Sequence, residues 1–178
     1  MKKIIITETQ LKQLMFEGIN VWHGSDREFD EFDMSMVGSG DGKSLGGWGI
    51  YFSTDENVSR RYFTTGGFVR EHEITSGEYF NLDDSADQDG DRIIQGLERL
   101  EVDPDEIEEL RRDYIEQSRD YGDVVNKQVY EWLTYVFEEE RGASKFLQSL
   151  GYVGNTFMDK WDTEARNYVV FDTSSIIQ

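Results

Sequence analysis

The 178-residue chain predicts an α+β fold, and three observations carry that prediction. Short apolar strands come first, a block of helices follows, and strands return near the C-terminal end. Segregated runs of this kind mark α+β architecture, whereas strict alternation of strand and helix marks a doubly wound α/β sheet. The length fits a single domain, 1–178, large enough to bury a sizeable core, and no internal repeat divides it. Charge is unevenly spread: of the net −19, the segment from Asp83 to Arg141 contributes −13, with twenty acidic against seven basic residues. That segment, 83–141, reads as an acidic helical insert in an otherwise mildly charged domain.

Each element has a local reason. Lys2 to Ile6 reads as a short strand. Thr7 and Gln10 form a capping-box pair ahead of Leu11, Leu14 and Met15 at helical spacing. Asn20 to His23 reads as a strand that enters the acidic loop DREFDEFD, punctuated by Phe29 and Phe32. Gly49 to Ser53 is a compact apolar strand. Asp55 can cap a helix carrying Val58 and Tyr62, and Gly66 and Gly67 end it. Phe68 to Ile74 alternates as a strand does, and Tyr79 to Leu82 reads as another. Asp83, Asp84, Asp87, Asp89 and Asp91 read as a solvated acidic loop, because they lack the twelve-residue calcium pattern with its closing glutamate. Asp103-Pro104 is a helix cap with proline at the first helical position. Ile107, Leu110 and Tyr114 form its apolar stripe. A second helix begins near Asp123 and buries Val129, Trp132, Leu133, Val136 and Phe137. A third, Ala143 to Leu150, ends at Gly151, suited to the left-handed position after a helix. Two closing strands follow, Tyr152 to Met158 and Tyr168 to Phe171.

Composition excludes several classes. With no cysteine there is neither a disulfide framework nor a thiolate metal site. The apolar run at the basic N-terminus stops at Ile6, too short for a signal peptide, and no stretch approaches a membrane span. These features lead to the expectation of a cytoplasmic protein with no membrane partner. The strongly negative field repels nucleic acid and anionic lipid and favours basic partners.

The stretch VGSGDGKSLGGWGIYFS, Val37 to Ser53, holds Gly38, Gly40, Gly42, Lys43 and Ser44 and invites comparison with a phosphate-binding P-loop. That motif requires a glycine at position 37, where valine stands, and a loop between a hydrophobic strand and a helix N-terminus. FDEFDMSM before it is no buried strand, and LGGWG after it is no helix. The glycines therefore serve a turn-rich loop. Glu71-His72-Glu73 is no metal site either: neighbours on a strand point to opposite faces, so the three side chains do not converge.

Four short motifs remain: Trp22-His23-Gly24-Ser25, Gly49-Ile50-Tyr51-Phe52-Ser53, Ser59 with Tyr62 just after it, and Asn167-Tyr168-Val169-Val170-Phe171-Asp172. Singly each has an ordinary structural explanation, a capped turn or a core strand. Together and in this order they resemble the ADP-ribosyltransferase fold, in its diphtheria-toxin-like and poly(ADP-ribose) polymerase branch. That branch combines a His-Gly-Ser/Thr, a Gly-x-Tyr-Phe strand, a second tyrosine eleven positions after the first, and a closing strand preceded by a third motif residue. The glycine-rich approach to Tyr51 is also similar to small transferase domains of phage and mobile-element proteins. The resemblance covers roughly residues 20–82 and 143–178.

The resemblance implies a split antiparallel β-sheet around an NAD cleft, with the acidic helices inserted. It implies NAD as co-substrate, cleavage of the nicotinamide–ribose bond, and transfer of ADP-ribose to a macromolecular acceptor. By the same resemblance His23, Tyr51 and Asn167 are the catalytic positions. Gly24 and Ser59 bind the carboxamide, Tyr51 and Tyr62 sandwich the nicotinamide ring, His23 bonds the adenosine-side ribose, and Ser25 supports it. The departure is Asn167, where the polymerases have glutamate. An amide can hydrogen-bond a hydroxyl but carries no charge and is no base. That disfavours chain elongation and leaves mono-ADP-ribosylation, with Glu164 as an alternative source of the carboxylate. A second reading is an inactive transferase scaffold that displays its acidic surface as a decoy for a nucleic-acid site.

Overall fold

The structure, a computed structural model, describes residues 18–38, 46–62 and 66–177, and of Tyr62 the backbone alone. The strand expected at 2–6, the helix expected after Thr7, and Gly40, Gly42, Lys43 and Ser44 lie outside the described residues.

Seven strands form one sheet: β1 Ile19–Ser25, β2 Ile50–Ser53, β3 Phe68–Ile74, β4 Tyr79–Asn81, β5 Gly154–Met158, β6 Arg166–Val170 and β7 Ile176–Ile177. Their spatial order is β4-β5-β6-β2-β1-β3-β7. All neighbours are antiparallel except β4 and β5, which run parallel, with Phe80 opposite Asn155. The expectation of a wholly antiparallel core is corrected at that edge. The cause is connectivity: the whole helical block links β4 to β5, and a long crossover is what parallel neighbours require. The small strand β7, at Ile176-Ile177, was not anticipated from the sequence; it pairs with the end of β3.

Each sheet face buries its own core, because side chains alternate along every strand. Val21, Ile50, Phe52, Ile74 and Val170 form the smaller core. Phe80, Tyr152 and Phe171 belong to the larger one, which is completed mostly by helices. These helices are α2 Asp87–Arg99, α3 Pro104–Leu110 with a π-helical continuation Arg111–Glu116 into α4 Gln117–Tyr121, α5 Asn126–Val136 and α6 Glu140–Ser149. The short α1, Glu56–Ser59, stands apart after β2, capped by Asp55, whose carboxylate accepts from the Asn57 and Val58 N–H groups. As expected, the Asp103 side chain caps α3 by accepting from Asp105 N–H at 2.9 Å, and Gly151 follows α6 at φ +98°.

Of the stretch read as a solvated acidic loop, Asp83 and Asp84 lie in the turn after β4, while Asp87, Asp89 and Asp91 are in α2. Asp87 and Asp89 fill its first turn, where backbone N–H groups and the helix dipole favour negative charge. Asp89 also accepts from the Tyr152 hydroxyl at 2.5 Å and from the Asn126 amide at 2.7 Å. Gly90 and Gly96 mask the helical pattern in sequence, yet both are required by packing. A Cβ at Gly90 would come within 2.7 Å of Ile115, and one at Gly96 within 2.7 Å of Leu150. The acidic segment is thus the solvated outer surface of helices whose inner stripes, including Ile93, Leu97, Leu110 and Leu133, are the larger core itself.

Candidate active site

The three outlying motifs meet in the middle of the sheet. β1 carries His23-Gly24-Ser25, β2 carries Tyr51, and β6 carries Asn167; these strands are direct neighbours in the order β6-β2-β1. Ser53 stands opposite Asn167 on one side and opposite Trp22 on the other. β1 and β3 are paired along their whole length and β2 and β6 along four positions. β1 and β2 are in register only at Trp22 and Ser53.

His23 and Tyr51 are joined across this seam. The Tyr51 carbonyl can only accept, so His23 Nδ1 donates to it, at 2.7 Å, and the proton sits on Nδ1. Nε2 is then the acceptor atom of a neutral ring. The imidazole lies among Phe29, Phe32 and Phe52, with ring centroids 5.7, 5.1 and 5.5 Å away, and His72 at 6.4 Å. Burial in this aromatic setting lowers the His23 pKa to about 4; the carbonyl of Tyr51 opposes the shift and His72 adds to it. His72 is lowered too, first by burial and then by Arg70. The loop that brings Phe29 and Phe32 is tied down by Arg70, which donates to the Phe29 carbonyl at 2.8 Å and pairs with Glu28.

A lowered histidine pKa makes stability depend on pH in a definite direction. Between about pH 4 and 6.5 the unfolded chain binds a proton at this position that the folded chain does not, so stability rises with pH there. The His23 contribution is complete above pH 6.5 and is lost as pH falls towards 4, by at most roughly 3 kcal/mol. Urea unfolding of wild type and His23→Phe at several pH values from 4 to 7 is expected to show a shallower pH dependence in the variant. Parallel curves would remove the titration from His23.

Tyr51 belongs to the other face. Its hydroxyl donates to the Gly47 carbonyl at 2.6 Å and accepts from the Gly46 N–H at 3.1 Å. Asn155 donates to the Gly46 carbonyl, Tyr130 accepts from the Trp48 N–H, and Ser144 donates to the Trp48 carbonyl. The exit of the glycine loop is thus fixed by side chains from β2, β5, α5 and α6. Gly47 adopts φ +97°, and a Cβ there would lie 2.2 Å from the Tyr130 hydroxyl, so glycine is required on two counts. A cleft of about 190 Å³ beside Gly47, lined by Lys127, Tyr130, Glu131 and Thr134, contains none of the sequence-predicted site residues.

Ser59 is buried, and its hydroxyl donates to the Trp22 carbonyl at 2.8 Å, which leaves the oxygen lone pairs for an incoming amide N–H. Ser25 is occupied locally, accepting from the Arg27 N–H at 3.2 Å in a turn. Gly24 stands opposite Val69 within the β1–β3 ladder. Tyr62 closes the 3-10 turn Arg60–Tyr62 that follows α1; its side chain lies outside the described residues. The structure therefore brings Tyr51, Ser59 and Asn167 to the neighbourhood of the Trp22–Ser53 pair, while the His23 ring leaves the sheet on the face of Phe52.

Asn167 is 1 % exposed, and its Oδ1 has no partner among the described residues. Its Nδ2 donates to Asp159 Oδ2 at 3.3 Å. Asp159 is itself 4 % exposed; its other oxygen accepts from Arg61 at 3.1 Å and from the Trp161 and Asp162 N–H groups at 3.0 and 2.9 Å. Glu164 is exposed, so the carboxylate beside Asn167 is Asp159, which sequence reasoning passed over. Hairpin register held the signal. β5 and β6 pair with Phe157 opposite Asn167 and Met158 opposite Arg166, so the residue just after Met158 must lie beside the start of β6. Among the described residues no group of His, Asp and Glu could hold a metal ion, and no helix is long and apolar enough to cross a membrane.

No curated protein and no solved structure matches the chain. A family model described as the ADP-ribosyltransferase in polyvalent proteins matches residues 17–176, which takes in all three motif strands and the whole helical block. The mixed, helix-covered sheet with these motifs at its centre agrees with that match, and the chain belongs to the ADP-ribosyltransferase family found in polyvalent proteins.

Proposed function

We propose that the protein is an NAD-dependent mono-ADP-ribosyltransferase of the His-Tyr-x branch that modifies a macromolecule. The observation that supports this most is that the His-Gly-Ser, Gly-x-Tyr-Phe and Asn-Tyr-Val-Val-Phe-Asp motifs, drawn from opposite ends of the chain, lie on three adjacent strands around one short seam. In the reaction the bond between the nicotinamide nitrogen and ribose C1′ breaks, nicotinamide leaves neutral with the bonding electrons, and an acceptor nucleophile bonds to C1′ as it loses its proton. The barrier falls when the dinucleotide is held in a reactive geometry and when negative groups face the cationic ribose.

Tyr51, Ser59 and Asn167 suit such a substrate. NAD lies at the β1–β2 seam with the nicotinamide ring on Tyr51, while His23, whose ring leaves the opposite face of the sheet, holds the Tyr51 backbone through its Nδ1. The Ser59 oxygen accepts from the carboxamide N–H. The orphan Asn167 Oδ1 accepts from a hydroxyl of the ribose at the reacting carbon. The amide at 167 favours a single transfer over chain growth, since no general base stands there to activate a further hydroxyl.

NAD radiolabelled at the adenylate phosphate, added with the protein to a bacterial lysate, tests this directly. Label is expected in macromolecules with wild type and not with His23→Ala, and removal by protease or by nuclease names the acceptor class. The amide at 167 favours one alternative, a scaffold that binds a basic partner without chemistry. Intact NAD and no label with wild type would replace the transferase reading with that one.

A further inference from the structure

We propose that Asp159 is the positioning residue of this site: it fixes the Asn167 amide with its oxygen towards substrate. The inference rests on the ADP-ribosyl transfer reading. A carboxylate only accepts hydrogen bonds, so the Asn167 nitrogen faces Asp159 and Oδ1 faces away, unpartnered and buried. A buried polar atom left without a partner in a folded chain calls for an explanation, and a substrate hydroxyl supplies one. Asp159 is nearly as buried as the amide it holds, and its charge is paired with Arg61. It is also a junction. Through Arg61 it holds the turn that ends in Tyr62, and through the Trp161 and Asp162 N–H groups it shapes its own loop, which closes by the Asp159 N–H donating to the Ala165 carbonyl at 2.9 Å. One carboxylate therefore sets the β6 acceptor and the turn carrying the second tyrosine relative to each other.

The exchange of the two side chains isolates this role from a merely structural one. In Asp159→Asn the new side chain still offers an oxygen to the loop N–H groups, but its nitrogen then meets the Asn167 nitrogen and forces that amide to turn its oxygen inward. Nicotinamide release from NAD is expected to lose kcat on the order of 10²-fold, the scale set by one misdirected transition-state contact, with a smaller change in KM. The double variant Asp159→Asn/Asn167→Asp restores a donor–carboxylate pair with the partners exchanged and is expected to recover at least about tenfold. The single variant Asn167→Asp places two carboxylates in contact, which raises the pKa of one. Its kcat–pH profile is expected to gain an acidic limb above the ordinary carboxylate range, and the double variant to lose that limb. A wild-type kcat in Asp159→Asn overturns the proposal, as does a loss that the double variant leaves unrepaired, or an Asn167→Asp profile without the new limb. Failure of wild type itself to cleave NAD sinks the transferase reading instead, and is seen before any variant is compared.

Discussion

Tyr51→Ala is expected to lower NAD cleavage about 10³-fold, from lost ring stacking combined with lost orientation. The substitution removes two things at once. It deletes the aromatic face proposed for the nicotinamide, and it deletes the hydroxyl that holds Gly46 and Gly47. Tyr51→Phe separates them, because the ring stays while the Gly46 N–H and the Gly47 carbonyl lose their partner. Leaving such groups unpaired costs roughly 1–3 kcal/mol of stability. The expected pattern is a near-complete loss in the alanine variant. The phenylalanine variant should melt lower yet keep kcat within about tenfold of wild type. Equal losses in both variants, measured as nicotinamide release at saturating NAD, would move the role of Tyr51 from the ring to the loop anchor.

What could be read from the sequence and what could not divides along physical lines. The outlying strands were legible because each is a short apolar run bounded by turn residues; Phe68–Ile74 was placed to the residue. Caps were legible for the same local reason, at Asp55, Asp103 and Gly151. The family was legible through the order of its motifs along the chain. The partner of Asn167 was not, since choosing Asp159 over Glu164 takes the β5–β6 register, a pairing property rather than a local one. Nor was the face on which each side chain leaves the sheet. His23 and Tyr51 point apart because β1 and β2 pair through Trp22 and Ser53, and a register one residue away would have reversed that. Helix α2 was hidden by its aspartates and glycines, whose reasons are tertiary: a half-buried network at Asp89 and close contacts at Gly90 and Gly96.

The same tertiary logic makes Leu133→Ala a test of how the acidic segment relates to the site. Leu133 is fully buried in the larger core beside residues from the helices and from the sheet, among them Phe80 and Tyr152. Truncating it is expected to cost about 3 kcal/mol, a large share of the 5–15 kcal/mol typical of a folded domain. For a domain of this size that corresponds to a fall in melting temperature of roughly 6–12 °C. An appended insert would melt by itself and leave the sheet and the site standing. The contacts predict otherwise: α5 and α6 hold Trp48 through Tyr130 and Ser144, and Asn155 of β5 holds Gly46, so the helices and the loop before Tyr51 share one polar network. One transition should shift as a unit, with far-UV circular dichroism, tryptophan fluorescence and NAD cleavage lost at the same temperature. Two transitions, with cleavage surviving the first, would restore the picture of an insert and detach the acidic surface from the catalytic fold. A single shifted transition makes the helices the floor on which Gly46, Trp48 and Tyr51 are set.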